Sequence, residues 1–159
     1  MAIVVGQAEA TTDVEAVYRE DSARLWRALY AYSNDTELAF DAAAEAFAQA
    51  ISRGGAIRDV RSWVWRAAFR LAAGALKDRS KYAHGLIPEG LTYDFHLDDE
   101  LVAALQGLTS QQRLVIVLHY YVDCSVGEIS RRTGMNPLAV RSHLSRGRHR
   151  MRLLLGDDS

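Results

Sequence analysis

The sequence predicts an all-α protein of two small helical domains joined by a linker, the C-terminal one a helix-turn-helix. Three observations carry this. Proline occurs only at positions 88 and 137 of the 159 residues. No alternating run is long enough for a strand, and apolar residues recur at helical spacing through nearly every other segment. The expected boundaries are 1–79 for the first domain, 80–97 for the linker and 98–159 for the second domain.

Val14, Val17, Leu25, Ala28, Leu29 and Tyr32 form the apolar stripe of a first helix. Asn34 and Glu37 have capping-box spacing and open a second helix, buried through Leu38, Ala39, Ala43, Phe47 and Ala50. Ser52 to Gly55 reads as a turn. Asp59 caps a third helix whose stripe is Val60, Trp63, Ala67 and Leu71. Its other faces are expected to show Arg61, Trp65, Arg66, Phe69, Arg70 and Lys77. Gly85, Pro88 and Gly90 interrupt the periodicity and mark the linker, in which Leu86, Ile87, Tyr93 and Phe95 are apolar enough to dock on something. A short helix follows at about 98–106. Thr109 and Gln112 form another capping box, opening Leu114 to Tyr121, which is apolar nearly all round and should be the buried centre of the second domain.

The last two helices carry the strongest signal. Ser125 with Glu128 caps the first, and Gly134 ends it in the residue that best tolerates a left-handed terminus. Asn136 caps the second, with Pro137 at its first position. Val140, Leu144, Met151 and Leu154 fall on one stripe, Gly147 filling the remaining place. Arg141, Ser142, Ser145, Arg148 and Arg152 lie off it. This pattern, a Gly turn between capped helices with a basic outer face, points to duplex DNA binding. The residues expected on the DNA are Asn136, Pro137, Leu138, Arg141, Ser142, Ser145, Arg146 and Arg148.

A formal net charge of −1 hides a segregated distribution. Residues 1–50 hold nine acidic side chains against three basic ones, and residues 51–82 hold eight basic against two acidic. Residues 125–155 hold seven arginines against Glu128 alone. Two basic surfaces and an acidic one suggest two contacts on nucleic acid and one basic protein partner. The single cysteine, Cys124, excludes an intramolecular disulfide framework and is expected as a packed small residue. His84, His96, His119, His143 and His149 show no metal-ligand spacing. No phosphate loop, nucleophile elbow or paired catalytic carboxylate occurs. No metal, cofactor or enzymatic activity is expected. Without a signal-peptide pattern or a membrane-length apolar run, a soluble cytoplasmic protein is expected.

Leu108 to Tyr121, Ser125 to Ser130 and Val140 to Arg148 together resemble the region-four motifs of bacterial RNA polymerase sigma factors of the extracytoplasmic-function type. Those motifs read Leu-Pro-x-x-Gln-Arg up to Tyr-Tyr, then Ser-x-x-Glu-Ile-Ala, then Val-Lys-Ser-Arg-Leu-x-Arg-Ala-Arg. The resemblance spans residues 98–155 and, less closely, 13–79 as region two. There the family's Asp-Leu-Val-Gln-Glu-Thr-Phe corresponds to residues 41–47, with Asp41, Glu45 and Phe47 kept and Ala44 in place of Gln. Its Trp-Leu-x-x-Ile-Ala-Arg-Asn corresponds to residues 63–70, with Trp63 kept and Phe69 and Arg70 in place of Arg-Asn.

The resemblance implies core RNA polymerase and promoter DNA as partners; an anti-sigma factor is one it leaves open. It implies that Asp41 and Glu45 bind polymerase, and that the third helix holds melted DNA. Stacking and backbone neutralisation there would fall to Arg61, Trp65, Arg66, Phe69 and Arg70. From the residues alone two other readings stay open. One is a helix-turn-helix regulator that acts without being a polymerase subunit. The other is a sigma-fold interaction adaptor.

Overall fold

The computed structural model describes residues 2–78 and 97–156, with side chains from residue 13 onward. The expected linker therefore lies, except for Leu97, outside the described residues, as do its Leu86, Ile87, Tyr93 and Phe95. The described residues form seven α-helices and no strand: α1 (Ala2–Ser33), α2 (Thr36–Arg53), α3 (Val60–Asp78), α4 (Asp99–Gln106), α5 (Ser110–Ile116), α6 (Val126–Thr133) and α7 (Pro137–Leu154).

In the N-terminal half, α1, α2 and α3 pack on one another. The expected stripes of α1 and α2 are buried throughout. The cap of α2 is shifted by one residue. Asn34 takes a left-handed conformation, φ 54°, and ends α1 by donating its N–H to Tyr30 O at 2.7 Å. Asn tolerates that conformation better than most residues, so Asp35 becomes the cap and accepts from Leu38 N at 3.0 Å. Helix α2 runs on through Ser52 and Arg53, and the turn begins at Gly54, φ 58°. Asp59 caps α3, accepting from Ser62 N at 3.1 Å.

The orientation of α3 departs from expectation. Val60 and Ala67 are buried, but Trp63 and Leu71 are only half-buried, while Trp65 and Phe69 are buried, 0% and 4% exposed. The reason is that α3 is covered on two sides: α1 and α2 take one face and α6 another. A helix buried on two faces shows no single stripe.

In the C-terminal half, α4 is capped by Asp98, and Thr109 and Gln112 form the reciprocal capping box of α5. The expected long apolar helix stops at Ile116. Val117–Tyr121 widens into one π-helical turn, with Val122 N bonded to Val117 O at 3.2 Å. Val115, Ile116, Val117 and Leu118 are buried as expected, but the turn brings Tyr120 and Tyr121 to the surface.

The last two helices follow their local signals. Ser125 and Glu128 close a capping box, Gly134 is left-handed at φ 82°, and Asn136 accepts from Ala139 N at 2.8 Å ahead of Pro137. Val140, Leu144 and Gly147 are buried and Met151 is half-buried. Leu154, at the frayed end, is 38% exposed instead of buried.

The two halves touch. Helix α6 lies on α3, and α1 meets α4 and the π turn, so that the buried apolar residues of both halves form one cluster.

Candidate nucleic-acid interface

Helix α7 presents its duplex-reading candidates together. Asn136, Pro137, Leu138, Arg141, Ser142, Ser145 and Arg146 are exposed, Leu138 at 75%. Among the described residues nothing covers this face, because Val140, Leu144 and Gly147 hold the opposite side of the helix against α5 and α6. Asn136 Oδ1 is engaged as the cap. Arg148 differs from the others: it is half-buried and donates to Tyr120 Oη at 3.1 Å. Its charge lies at the edge of the reading face, against the π turn.

Asp41 and Glu45 are both exposed on one face of α2. Partial burial, together with repulsion from Glu37 and Asp35, pushes the Asp41 carboxyl above the usual carboxylate range.

The five strand-capture candidates are not displayed together. Arg70 is exposed. Arg61 is tied back to Glu20 and to Asp21, the latter at 3.1 Å. Trp65 and Phe69 are buried, against the expectation that they face solvent. Trp65 Nε1 donates to the buried Asp21 at 2.8 Å, and its ring is stacked with that of Phe69, centroids 6.2 Å apart. Phe69 also meets Tyr32 edge-on at 5.5 Å. Arg66 donates to Arg131 O at 2.6 Å, across to the C-terminal half. Trp63 is the half-exposed aromatic, with the Arg53 guanidinium 5.3 Å from its ring centre. Both line a cleft of about 380 Å³ together with Arg58, Arg66 and Arg131.

Several residues that position these faces escaped the sequence reading. Arg132, 9% exposed, places its guanidinium 4.7 Å from the centre of the Trp65 ring and donates to Cys124 Sγ at 3.0 Å. Arg113 donates to Leu105 O, Leu108 O and, at 3.0 Å, Tyr32 O. Arg24 donates to Val122 O at 2.6 Å, and Tyr32 Oη lies 2.6 Å from Ser110 Oγ. Arg132 had a signal: it follows the buried Ile129 by three positions and Glu128 by four, so it shares their side of α6. Among the described residues, no group of three or more His, Cys, Asp or Glu side chains is arranged to hold a metal, and no helix is long and apolar enough to cross a membrane.

The comparisons with known proteins agree with this geometry. Residues 98–151 match the family described as Sigma-70, region 4. The RNA polymerase sigma factor SigV of Bacillus subtilis (strain 168) is 25% identical over 139 residues, covering 82% of this chain and 83% of that protein. Among solved structures, the fold is similar to that of the sigma factor RpoE of Bartonella quintana in its complex with the anti-sigma factor NepR. The TM-score is 0.65 at 17% identity, over 96% of this chain and 97% of that one.

Residues 98–151 are thus a sigma-70 region 4 segment, and most of the chain is similar to sigma factors, the subunits that give RNA polymerase its promoter specificity. These likenesses support a sigma factor of the extracytoplasmic-function type, with an all-helical fold. The readings as a free-standing regulator or an interaction adaptor are not favoured.

Proposed function

We propose that the chain acts in the cytoplasm as the specificity subunit of a polymerase holoenzyme, with its three faces dividing the work. The acidic ridge of Asp41 and Glu45 docks on a basic surface of core polymerase. The outer face of α7 reads the upstream promoter element, with Arg141 and Ser142 at base edges and Arg146 on phosphate. On α3, Arg61, Arg66 and Arg70 neutralise the backbone of the melted strand, while the buried Trp65 and Phe69 support that face from beneath. The polymerase performs the chemistry, and this chain supplies the address.

The observation that carries this reading is the exposed α7 face, where a short capped helix, a left-handed Gly134 and an uncovered row of Arg and Ser side chains coincide. The test is transcription in vitro with core polymerase on a genomic fragment library. Specific initiation that depends on the added chain supports the reading. Binding to duplex DNA without any initiation would return it to the class of plain regulators.

A further inference from the structure

Leu138 stands out on the uncovered face of α7. It is 75% exposed, the most exposed large apolar side chain among the described residues. Arg141, Ser142 and Ser145 follow it at three, four and seven positions, and all three are exposed and polar. That spacing aligns the four side chains along one side of the helix. A lone exposed leucine is ordinary elsewhere on a protein. This one occupies the second position of α7, and the first turns of a reading helix come nearest to base edges in the major groove.

The turn before it fixes its place. Gly134 is left-handed at φ 82°, Ser130 Oγ donates to Met135 O at 2.6 Å, and Met135 N donates to Thr133 Oγ1 at 3.2 Å. Asn136 accepts from Ala139 N, and Pro137 opens the helix. Val140 and Leu144, 0% and 2% exposed, anchor the other side. A leucine on so firmly held a backbone gives up less side-chain entropy on docking than an arginine does.

What Leu138 can recognise follows from what it lacks. Its side chain has no donor or acceptor, so the hydrogen-bonding edges of adenine, guanine and cytosine offer it nothing. In the major groove thymine alone presents an apolar group, its C5 methyl. We propose that Leu138 is a specificity-determining residue that reads a thymine methyl in the upstream element, beside the bases met by Arg141 and Ser142. This rests on the reading face assigned to α7 above and adds a second kind of readout to it. Arg141 and Ser142 select hydrogen-bonding groups, and Leu138 selects a methyl.

The test uses holoenzyme assembled from the full chain and core polymerase. The probe is duplex DNA carrying the upstream element of a promoter found in the genomic-library transcription described above. Each thymine, on either strand, is replaced in turn by uracil, which removes the methyl and nothing else. At one position uracil should weaken binding by about three- to fivefold, the worth of burying one methyl group. Leu138→Ala should weaken binding to the thymine duplex by a similar factor and be indifferent to uracil at that position. Its melting temperature should match that of the wild type, because the side chain packs on nothing that holds the fold. A scan in which no uracil weakens wild-type binding overturns the proposal, and so does an undiminished uracil penalty with Leu138→Ala. Arg141→Ala, measured in parallel, separates this from failure of the underlying reading. If Arg141→Ala relaxes sequence preference while the uracil scan is flat, only the role of Leu138 falls. If Arg141→Ala and Leu138→Ala both leave sequence preference intact, the α7 reading face falls and the proposal with it.

Discussion

Gly147 of α7 lies so close to Ile116 of α5 that a Cβ there would stand 2.8 Å from Ile116 Cγ1 and 3.1 Å from its Cδ1. Ile116 is itself buried, so it has little room to move aside. Alanine would add about 1 kcal/mol of helix propensity, but overpacking a core contact costs typically 1–3 kcal/mol. Gly147→Ala should therefore lower stability by about 1 kcal/mol, and Ile116→Val beside it should recover part of the loss. Denaturant unfolding of the single and double variants measures this. A stabilised single variant would mean that α7 slides freely on α5.

Arg141 and Arg146 should separate reading from gripping. Arg141→Ala is expected to cost roughly 1–3 kcal/mol on the preferred duplex site and little on random DNA. Arg146→Ala should weaken both about equally and lower the salt slope by about one. If Arg141→Ala leaves sequence preference intact, the reading face lies elsewhere on α7. Arg148, bonded to Tyr120, should show a smaller salt effect than Arg146.

Asp41→Lys/Glu45→Lys should abolish co-purification with core polymerase while leaving the melting temperature nearly unchanged, since both side chains are exposed. Wild-type binding by that variant would refute docking through the ridge.

Asp41 and Glu128 titrate in opposite senses. The Asp41 carboxyl is raised above 3.8 by partial burial, then by repulsion from Glu37 and Asp35. Its contribution to stability is thus present below its unfolded value and lost as pH rises through the folded one. At neutral pH, Asp41→Asn should be at least as stable as wild type.

Glu128 is held below 4.5. Burial pushes it up, but the Ser125 hydrogen bonds and the charges of Arg132 and Arg131 outweigh that. Its contribution is present above 4.5 and lost as pH falls through the depressed folded value. Glu128→Gln should therefore be less stable than wild type at neutral pH and indistinguishable from it in acid. Thermal melts of both variants at neutral and strongly acidic pH check the signs, and parallel curves for the two would contradict the assignment.

Phe69→Ala, assembled into holoenzyme, should reduce activity on duplex and pre-melted templates alike if the ring holds a base, with stacking worth roughly 1–3 kcal/mol. A deficit on duplex alone would mean that Phe69 helps separate the strands. Normal activity on both would leave the ring a purely structural neighbour of Tyr32.

What was legible in the sequence is what short-range chemistry decides. The Thr109–Gln112 and Ser125–Glu128 boxes, the Gly134 turn and the Asn136–Pro137 start each involve residues within a few positions, and all formed as read. The α2 cap moved by one because Asn34 was drawn into ending the preceding helix, a competition between two adjacent polar residues that spacing alone does not settle. The faces of α3 were misread because the partners that bury them are distant in sequence: Arg132, far downstream, lies over Trp65, and Tyr32 of α1 packs on Phe69. Arg132 was counted with the solvent-facing arginines of a basic stretch. Its burial depends on Trp65 and Cys124 meeting it in space, and no local pattern encodes both.

Cys124 is 2% exposed, and burial pushes its thiol up, with the Arg132 guanidinium only partly opposing this. A thiol that stays protonated and out of reach is a poor nucleophile. As it is the only cysteine in the sequence, the folded chain offers oxidants and disulfides no accessible thiol. If thiol oxidation alters transcription through this factor, that signal has to be chemically received by another molecule and delivered to it by binding.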